Sequence, residues 1–316
     1  MTSASLRLFA PAGQTDLAGT VAAHLDIELE ALEERDFEDG EHKTRLLEPV
    51  ADSDCHVLQS LYGHDGYSVN DRLIRTLFLL AELRDHRAAR VTAVLPYLAY
   101  ARKDRRTKPL DPVATRYVAQ LLEAAGVDRV DTLDVHNPAA FENAFRVPVR
   151  NLEAGPWLAD AVLESDCPAA VTVVSPDAGG YKRAERFREI LAGRIGTRPG
   201  LAFMEKKRSA GEVSGDTLVG GVAGTTAVLV DDMISSGGTL ARAANACRQA
   251  GADRVLAVAT HGLFTGDAMA TLEAAPMDRI YVTDTVAAAS TAGDALGDRL
   301  AVVAAGPILA EAIADG

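Results

Sequence analysis

Aromatic side chains make up only 5% of the chain, and cysteine occurs three times in 316 residues. The apolar mass is instead Ala, Val and Leu, a usage that suits α/β layers better than an all-β sandwich. Cys55, Cys167 and Cys247 stand apart, odd in number and without metal-ligand spacing. They argue against a disulfide framework and read as small buried hydrophobes of a reducing compartment. No run of about 18 apolar residues is present to span a bilayer, and no signal peptide opens the chain. A cytoplasmic protein with no membrane partner is therefore expected. An excess of positive charge is missing too: 32 Lys and Arg face 45 Asp and Glu, a formal charge of −13. A surface that acidic repels nucleic acid and anionic lipid at long range, so neither is an expected partner. Small anions are not excluded, because local cations and backbone N–H groups outvote the global field.

What is present is length and alternation. A chain of 316 residues, 48% apolar, is comfortable as two cores. β-Rich runs at 6–10, 55–60, 91–97, 129–135, 170–175, 226–231 and 254–260 alternate with amphipathic stretches. Ser68 is placed to cap a helix through about residue 85, with Leu73, Ile74, Leu77, Leu80 and Ala81 as its buried stripe. A second helix begins near Gly238, buries Leu240, Ala243, Ala244 and Cys247, and stops at Gly251. Continuous apolar strands between helices predict mostly parallel sheets covered on both faces. The pattern runs through twice, with a junction near 148–156, giving two similar α/β domains at 1–150 and 151–316. The last helix, around 306–314, can pack on either.

Six segments carry chemistry. In 226–240, TAVLVDDMISSGGTL, a hydrophobic strand runs into Asp231 and Asp232, then a small-residue loop, then a helix. Ser235, Ser236, Gly237, Gly238 and Thr239 offer backbone N–H groups and hydroxyls at a helix N-terminus, a nest suited to a phosphomonoester. The acids beside it can accept hydrogen bonds from sugar hydroxyls. In 97–106, YLAYARKDRR, Arg102, Lys103, Arg105 and Arg106 set four cations beside Asp104, a cluster suited to polyphosphate but equally to a solvated basic loop. In 37–41, FEDGE, Phe37, Asp39 and Glu41 offer one aromatic face and two acceptors, or simply an acidic turn. His136 and Asp177 end predicted strands, where open α/β sheets place their ligands. Lys206, Lys207 and Arg208 follow an apolar run and suit a basic strand edge or a loop. No G-x-x-x-x-G-K-S/T pattern occurs, so a nucleotide must be held another way.

The 226–240 loop resembles the phosphoribosyl-diphosphate loop shared by type I phosphoribosyltransferases and ribose-phosphate diphosphokinases. The other segments resemble the diphosphokinases alone, in family order, and further matches at 70–71, 259–264 and 305–313 extend the likeness over nearly the whole chain. The resemblance implies two domains of the phosphoribosyltransferase kind, and transfer of a diphosphate from ATP to ribose 5-phosphate. It implies that Phe37 stacks on adenine, with Asp39 and Glu41 on its edge or sugar, in a loop reaching a neighbouring subunit. A homo-oligomer, at least a dimer, follows. It places Arg102, Lys103 and Asp104 at the ATP phosphates or base. Ribose 5-phosphate falls to Asp231, Asp232 and residues 235–239. His136 and Asp177 would help hold Mg²⁺, and Lys206 and Arg208 match the cations of a flexible catalytic loop. Lys103, Ser235 and Asn137-Pro138 depart from the best-known bacterial pattern, towards plant- or archaeal-like members. Two rival readings share parts of this set. A phosphoribosyltransferase would use the 226–240 loop but has no need of the other segments, and a non-catalytic regulatory subunit would keep the fold and lose the catalytic-loop cations.

Overall fold

The computed structural model of the chain describes residues 4–11, 14–166, 170–209 and 212–316. It divides into two compact units, one running to Glu153 and taking in Ala305–Gly316, the other Ala154–Ala304.

In chain order the first unit holds β1 (Leu6–Phe9), α1 (Thr15–Leu25), β2 (Leu29–Glu30), β3 (Leu32–Asp36), β4 (His42–Leu46), β5 (Asp54–Leu58), α2 (Val69–Asp85), β6 (Arg90–Leu95), α3 (Ala114–Ala124), β7 (Arg129–Leu133), α4 (Pro138–Ala144) and β8 (Val149–Leu152). Its sheet is parallel throughout, in the order β2-β1-β5-β6-β7-β8, while β3 and β4 form a separate antiparallel pair. The second unit holds α5 (Gly155–Asp166), β9 (Val171–Ser175), α6 (Tyr181–Ile195), β10 (Gly200–Ser209), β11 (Glu212–Val219), β12 (Thr226–Ile234), α7 (Gly238–Gln249), β13 (Arg254–Gly262), α8 (Ala268–Ala274), β14 (Arg279–Thr283), α9 (Ala288–Leu296) and β15 (Leu300–Val303). Its seven strands lie in the order β11-β10-β9-β12-β13-β14-β15, and only β10 with β11 pairs antiparallel. The last helix, α10 (Gly306–Ala314), returns to the first unit against α1.

Each sheet is sandwiched because its strands are apolar on both faces. In the first unit Cys55, Val57, Val91, Ala93 and Val130 pack against Leu73, Leu77 and Leu80 of α2 and Val118 and Leu122 of α3. In the second, Ala227, Leu229, Val255 and Ala257 pack against Leu240, Ala243, Ala244 and Cys247 of α7 and Leu272 of α8.

The structure sharpens two local expectations and corrects a third. The first unit's sheet runs to Leu152, because β8 completes it beside β7, so the boundary falls after Glu153, within the expected junction at 148–156. The last helix, which the sequence left free to pack on either domain, counts with the first unit. On α2, Ile74 is 42% exposed beside Phe78, since one residue turns the side chain by about 100° out of the Leu73, Leu77, Leu80 row; Thr76, Leu79 and Leu83 take its place in the buried stripe. The helix starts as its cap requires: Asp71 N–H donates to Ser68 Oγ at 3.2 Å, and Ser68 N–H to Asp71 Oδ2 at 2.7 Å.

Candidate functional site

In the second unit β12 and β9 are parallel neighbours, with Leu229 opposite Val174, so Asp231 and the 175–180 loop emerge at adjacent carboxyl ends. α6, which follows β9, packs with α5; α7, which follows β12, packs with α8. Helices that leave neighbouring strands for different layers open a crevice at the strand ends, the usual place for a ligand in such sheets.

The nest forms at that end. Gly237 takes a left-handed φ of +76° as the residue before α7, and a Cβ there would lie 2.9 Å from Leu272 Cδ2, so only glycine fits. Ser235, Gly238 and Thr239 are half-buried or partly covered, Gly237 is buried and Ser236 is exposed. Ser235 Oγ meets Thr265 Oγ1 at 2.9 Å, while Thr265 N–H donates to Ser235 O at 3.0 Å, which pins the loop to the segment after β13. The first-turn amides of α7 have no acceptor within the helix and present a positive dipole end, the physical basis of anion binding here.

Behind the nest stand the two acids. Asp231 keeps 20% of its side-chain surface and Asp232 only 2%. Arg183 of α6 reaches both: Nη1 donates to Asp231 Oδ1 at 2.9 Å, and Nη2 lies 3.1 Å from Asp232 Oδ1. Burial, together with the neighbouring Asp232 carboxylate, pushes Asp231 up to about 8 against the opposing pull of Arg183. Asp177, half-buried in the loop after β9, accepts from Gly180 N–H at 2.8 Å through Oδ1.

In the first unit the basic segment follows β6. It is a chain of turns held by side chains, not a free loop. Lys103, expected at the ATP phosphates or base, pairs with Asp111 at 2.7 Å. Asp111 Oδ2 also accepts from Thr107 N–H and Lys108 N–H, each at 3.0 Å, and from Thr107 Oγ1 at 2.7 Å. The hydrogen bonds from Lys103 and Thr107 hold Asp111 well below the usual carboxylate range. Arg102, Arg105 and Arg106 are exposed, and Asp104 is half-buried, accepting from Asn137 Nδ2 at 2.5 Å. Asn137 also caps α4, taking Ala140 N–H at 3.2 Å, so one amide ties the basic segment to the strand end that carries His136. His136 itself is exposed; the chain reaches it through a left-handed turn at Asp134, with Val135 N–H donating to Asn151 Oδ1 at 2.8 Å.

Phe37, Asp39 and Glu41 sit at the exposed tip of the β3–β4 pair. Gly40 adopts a φ of +91°, Phe37 N–H donates to Glu41 O at 2.8 Å, and Glu41 N–H to Asp39 Oδ1 at 3.1 Å. The tip is fastened at its base by Asp36, which accepts from Tyr67 Oη at 2.7 Å and from Arg75. Phe37 keeps 39% exposure with the Arg35 guanidinium 5.0 Å from its ring centre.

Lys206 and Arg208 fall on β10, and their side chains lie outside the described residues. The backbone there is strand, with Lys206 opposite Asp216 and Arg208 opposite Val213 across an irregularity between Lys206 and Arg208. Antiparallel pairing supplies the backbone groups with partners that a loop would take from water.

Sequence reasoning did not single out Arg183, Asn137 as a tie, or Asp111 as the partner of Lys103. Asp111 lay in view, eight residues from Lys103, but no local pattern marks Arg183. Among the described residues there is no group of three or more His, Cys, Asp or Glu able to hold a metal. An ion that keeps most of its own water needs fewer, and an accessible carboxylate at a strand end is suitable oxygen chemistry for it.

Comparison with known proteins bears on the whole chain. Residues 6–126 match the family model described as the N-terminal domain of ribose phosphate pyrophosphokinase, and 204–315 that of the phosphoribosyl synthetase-associated domain. The ribose-phosphate pyrophosphokinase of Corynebacterium efficiens is 36% identical over 98% of this chain and 92% of its own. That of Caldanaerobacter subterraneus is 37% identical over 89% and 86%. The crystal structure of phosphoribosylpyrophosphate synthetase from Mycobacterium smegmatis superposes with a TM-score of 0.88 at 35% identity, covering 98% of both chains. These relatives are bacterial, and they lend no support to the leaning towards plant- or archaeal-like members. Identity at this level over almost every residue leaves one conclusion: the chain belongs to the ribose-phosphate pyrophosphokinase family.

Proposed function

We propose that the protein transfers the β,γ-diphosphate of ATP to the 1-hydroxyl of ribose 5-phosphate, giving 5-phosphoribosyl 1-diphosphate and AMP. The observation that carries this reading is the strand-end arrangement of half-buried Asp231 and buried Asp232 beside the 235–239 nest, in a chain matched to the family along its length. The nest takes the 5-phosphate and the acids take the ring hydroxyls. Arg102, Lys103, Asp104 and the Phe37 tip are assigned to ATP, the tip in a homo-oligomer. Lys206 and Arg208 are assigned to the charge that builds on the transferring group. Mg²⁺, held through Asp177 and His136, would neutralise the phosphates when bound. Positioning and charge neutralisation then supply most of the rate.

The test is product identity. Incubation with Mg²⁺, ATP and ribose 5-phosphate should release AMP only when the sugar phosphate is present, with a new anomeric diphosphate in the phosphorus spectrum. Release of ADP would mean γ-phosphoryl transfer and would overturn the proposal.

A further inference from the structure

We infer that Arg183 is a positioning residue for sugar-phosphate binding, a single guanidinium that aims both Asp231 and Asp232 and offsets their charge toward an anionic sugar. The inference rests on the reading of those acids as the ribose-hydroxyl acceptors.

Consecutive residues of a strand point to opposite faces, so adjacent acids ordinarily diverge. Here two nitrogens of one planar group meet an oxygen of each, at 2.9 Å and 3.1 Å, from a helix 48 residues earlier in the chain. The fork of arginine suits two acceptors at once, which a lysine point charge does not. The pair also presents an electrostatic problem. A phosphomonoester brings up to two negative charges to the nest at 235–239, a few residues from the negative charge that the two acids share, one of them 2% exposed. Cation and anions at about 3 Å attract strongly where solvent is scarce. Arg183 therefore removes repulsion that would otherwise weaken the docking of any sugar phosphate.

The local backbone is built to admit this side chain. α6 opens directly from the 177–180 loop, with Gly180 as its first flanking residue. A Cβ on Gly180 would sit 2.7 Å from Ser175 Oγ and 3.6 Å from Arg183 Nη1. The missing side chain lets the helix start tight against β9, which sets where the guanidinium emerges. Arg183 retains 28% of its side-chain surface, so it borders the open end of the site and is not sealed in the core.

Equilibrium binding of ribose 5-phosphate, measured by calorimetry without ATP or metal, and steady-state kinetics test this together. Arg183→Gln should weaken ribose 5-phosphate binding and raise its KM about 30-fold, with KM for ATP within twofold of the parent. Arg183→Lys, which restores charge without the fork, should recover only part of the loss, and it serves also if the Gln variant folds poorly. Unchanged ribose 5-phosphate affinity in Arg183→Gln, or full recovery by Lys, would overturn the aiming role. A proportionate rise in both KM values with a lowered Tm would overturn it too, marking the contact as structural. Asp231→Asn separates the two layers. If it weakens sugar-phosphate binding while Arg183→Gln does not, only the Arg183 assignment falls; if Asp231→Asn itself binds normally, the reading of the acids falls and the inference with it.

Discussion

Asp54 shows how a single carboxylate sets a pH limit. Its burial opposes ionisation, but the hydrogen bonds from Arg90 and the proximity of His56 outweigh that and hold it well below its ordinary value of 3.8. Arg90 Nε donates to its Oδ1 at 2.8 Å, and His56 Nε2 lies 3.4 Å away. A group with a depressed folded-state value contributes stability above its unfolded value and loses it as the pH falls through the folded one. Asp54→Asn should therefore cost about 2 kcal/mol at neutral pH, where it strands two cation-capable partners. The gap to the parent should close as urea titrations are repeated below pH 3.8. A gap independent of pH would point to packing instead. The two described thiols make the opposite case. Cys55 and Cys247 are fully buried, and burial pushes them up to about 12 and about 11. Neither should react with iodoacetamide at pH 8 until the protein unfolds, as peptide mass spectrometry of native and urea-treated samples would show.

At the scale of elements, caps and turns decide which segments are rigid. The reciprocal Ser68–Asp71 bonds satisfy two amides at the start of the longest helix of the first unit. Ser68→Ala should lower stability by about 1 kcal/mol, read as a lower Tm with kinetic constants unchanged. The β3–β4 tip is a different kind of element, braced at its base by Asp36 and bare at its end. If Phe37 stacks on adenine, Phe37→Ala should raise KM for ATP about tenfold, the worth of roughly 1–2 kcal/mol of base–aromatic stacking, and leave KM for ribose 5-phosphate alone. Equal effects on both substrates would count against the assignment. Much of this was legible beforehand. The sequence marks Ser68 as a cap and offers FEDGE as a turn or a nucleotide contact, because a cap and a turn depend on neighbours three or four residues away. The pairing of Lys103 with Asp111 was not, since charge composition alone cannot say whether a cation meets a ligand or the chain.

For the molecule as a whole, the return of α10 matters most. Its Ile308, Leu309, Ala312 and Ile313 are buried against the first unit, where Arg150 donates to Ala312 O and to Asp131. Leu309→Ala should cost about 3 kcal/mol. Hydrogen exchange should quicken across β1 and α1 and spare the second unit. Loss of protection spread evenly over both would show that the helix stabilises the chain in some other way. No helix of the described residues is long and apolar enough to cross a membrane.

The sequence by itself determined the alternation of strands and helices, the nest with its two acids, and the family. Those properties live in runs of adjacent residues, where periodicity, glycine and proline act over a few bonds. Tertiary structure alone decided that α10 rejoins the first unit, that Asn137 holds Asp104 from 33 residues away, and that Arg183 meets Asp231 and Asp232. These depend on how helices settle on a sheet. A displacement of about 1 Å, invisible in sequence, separates a hydrogen bond from an empty gap.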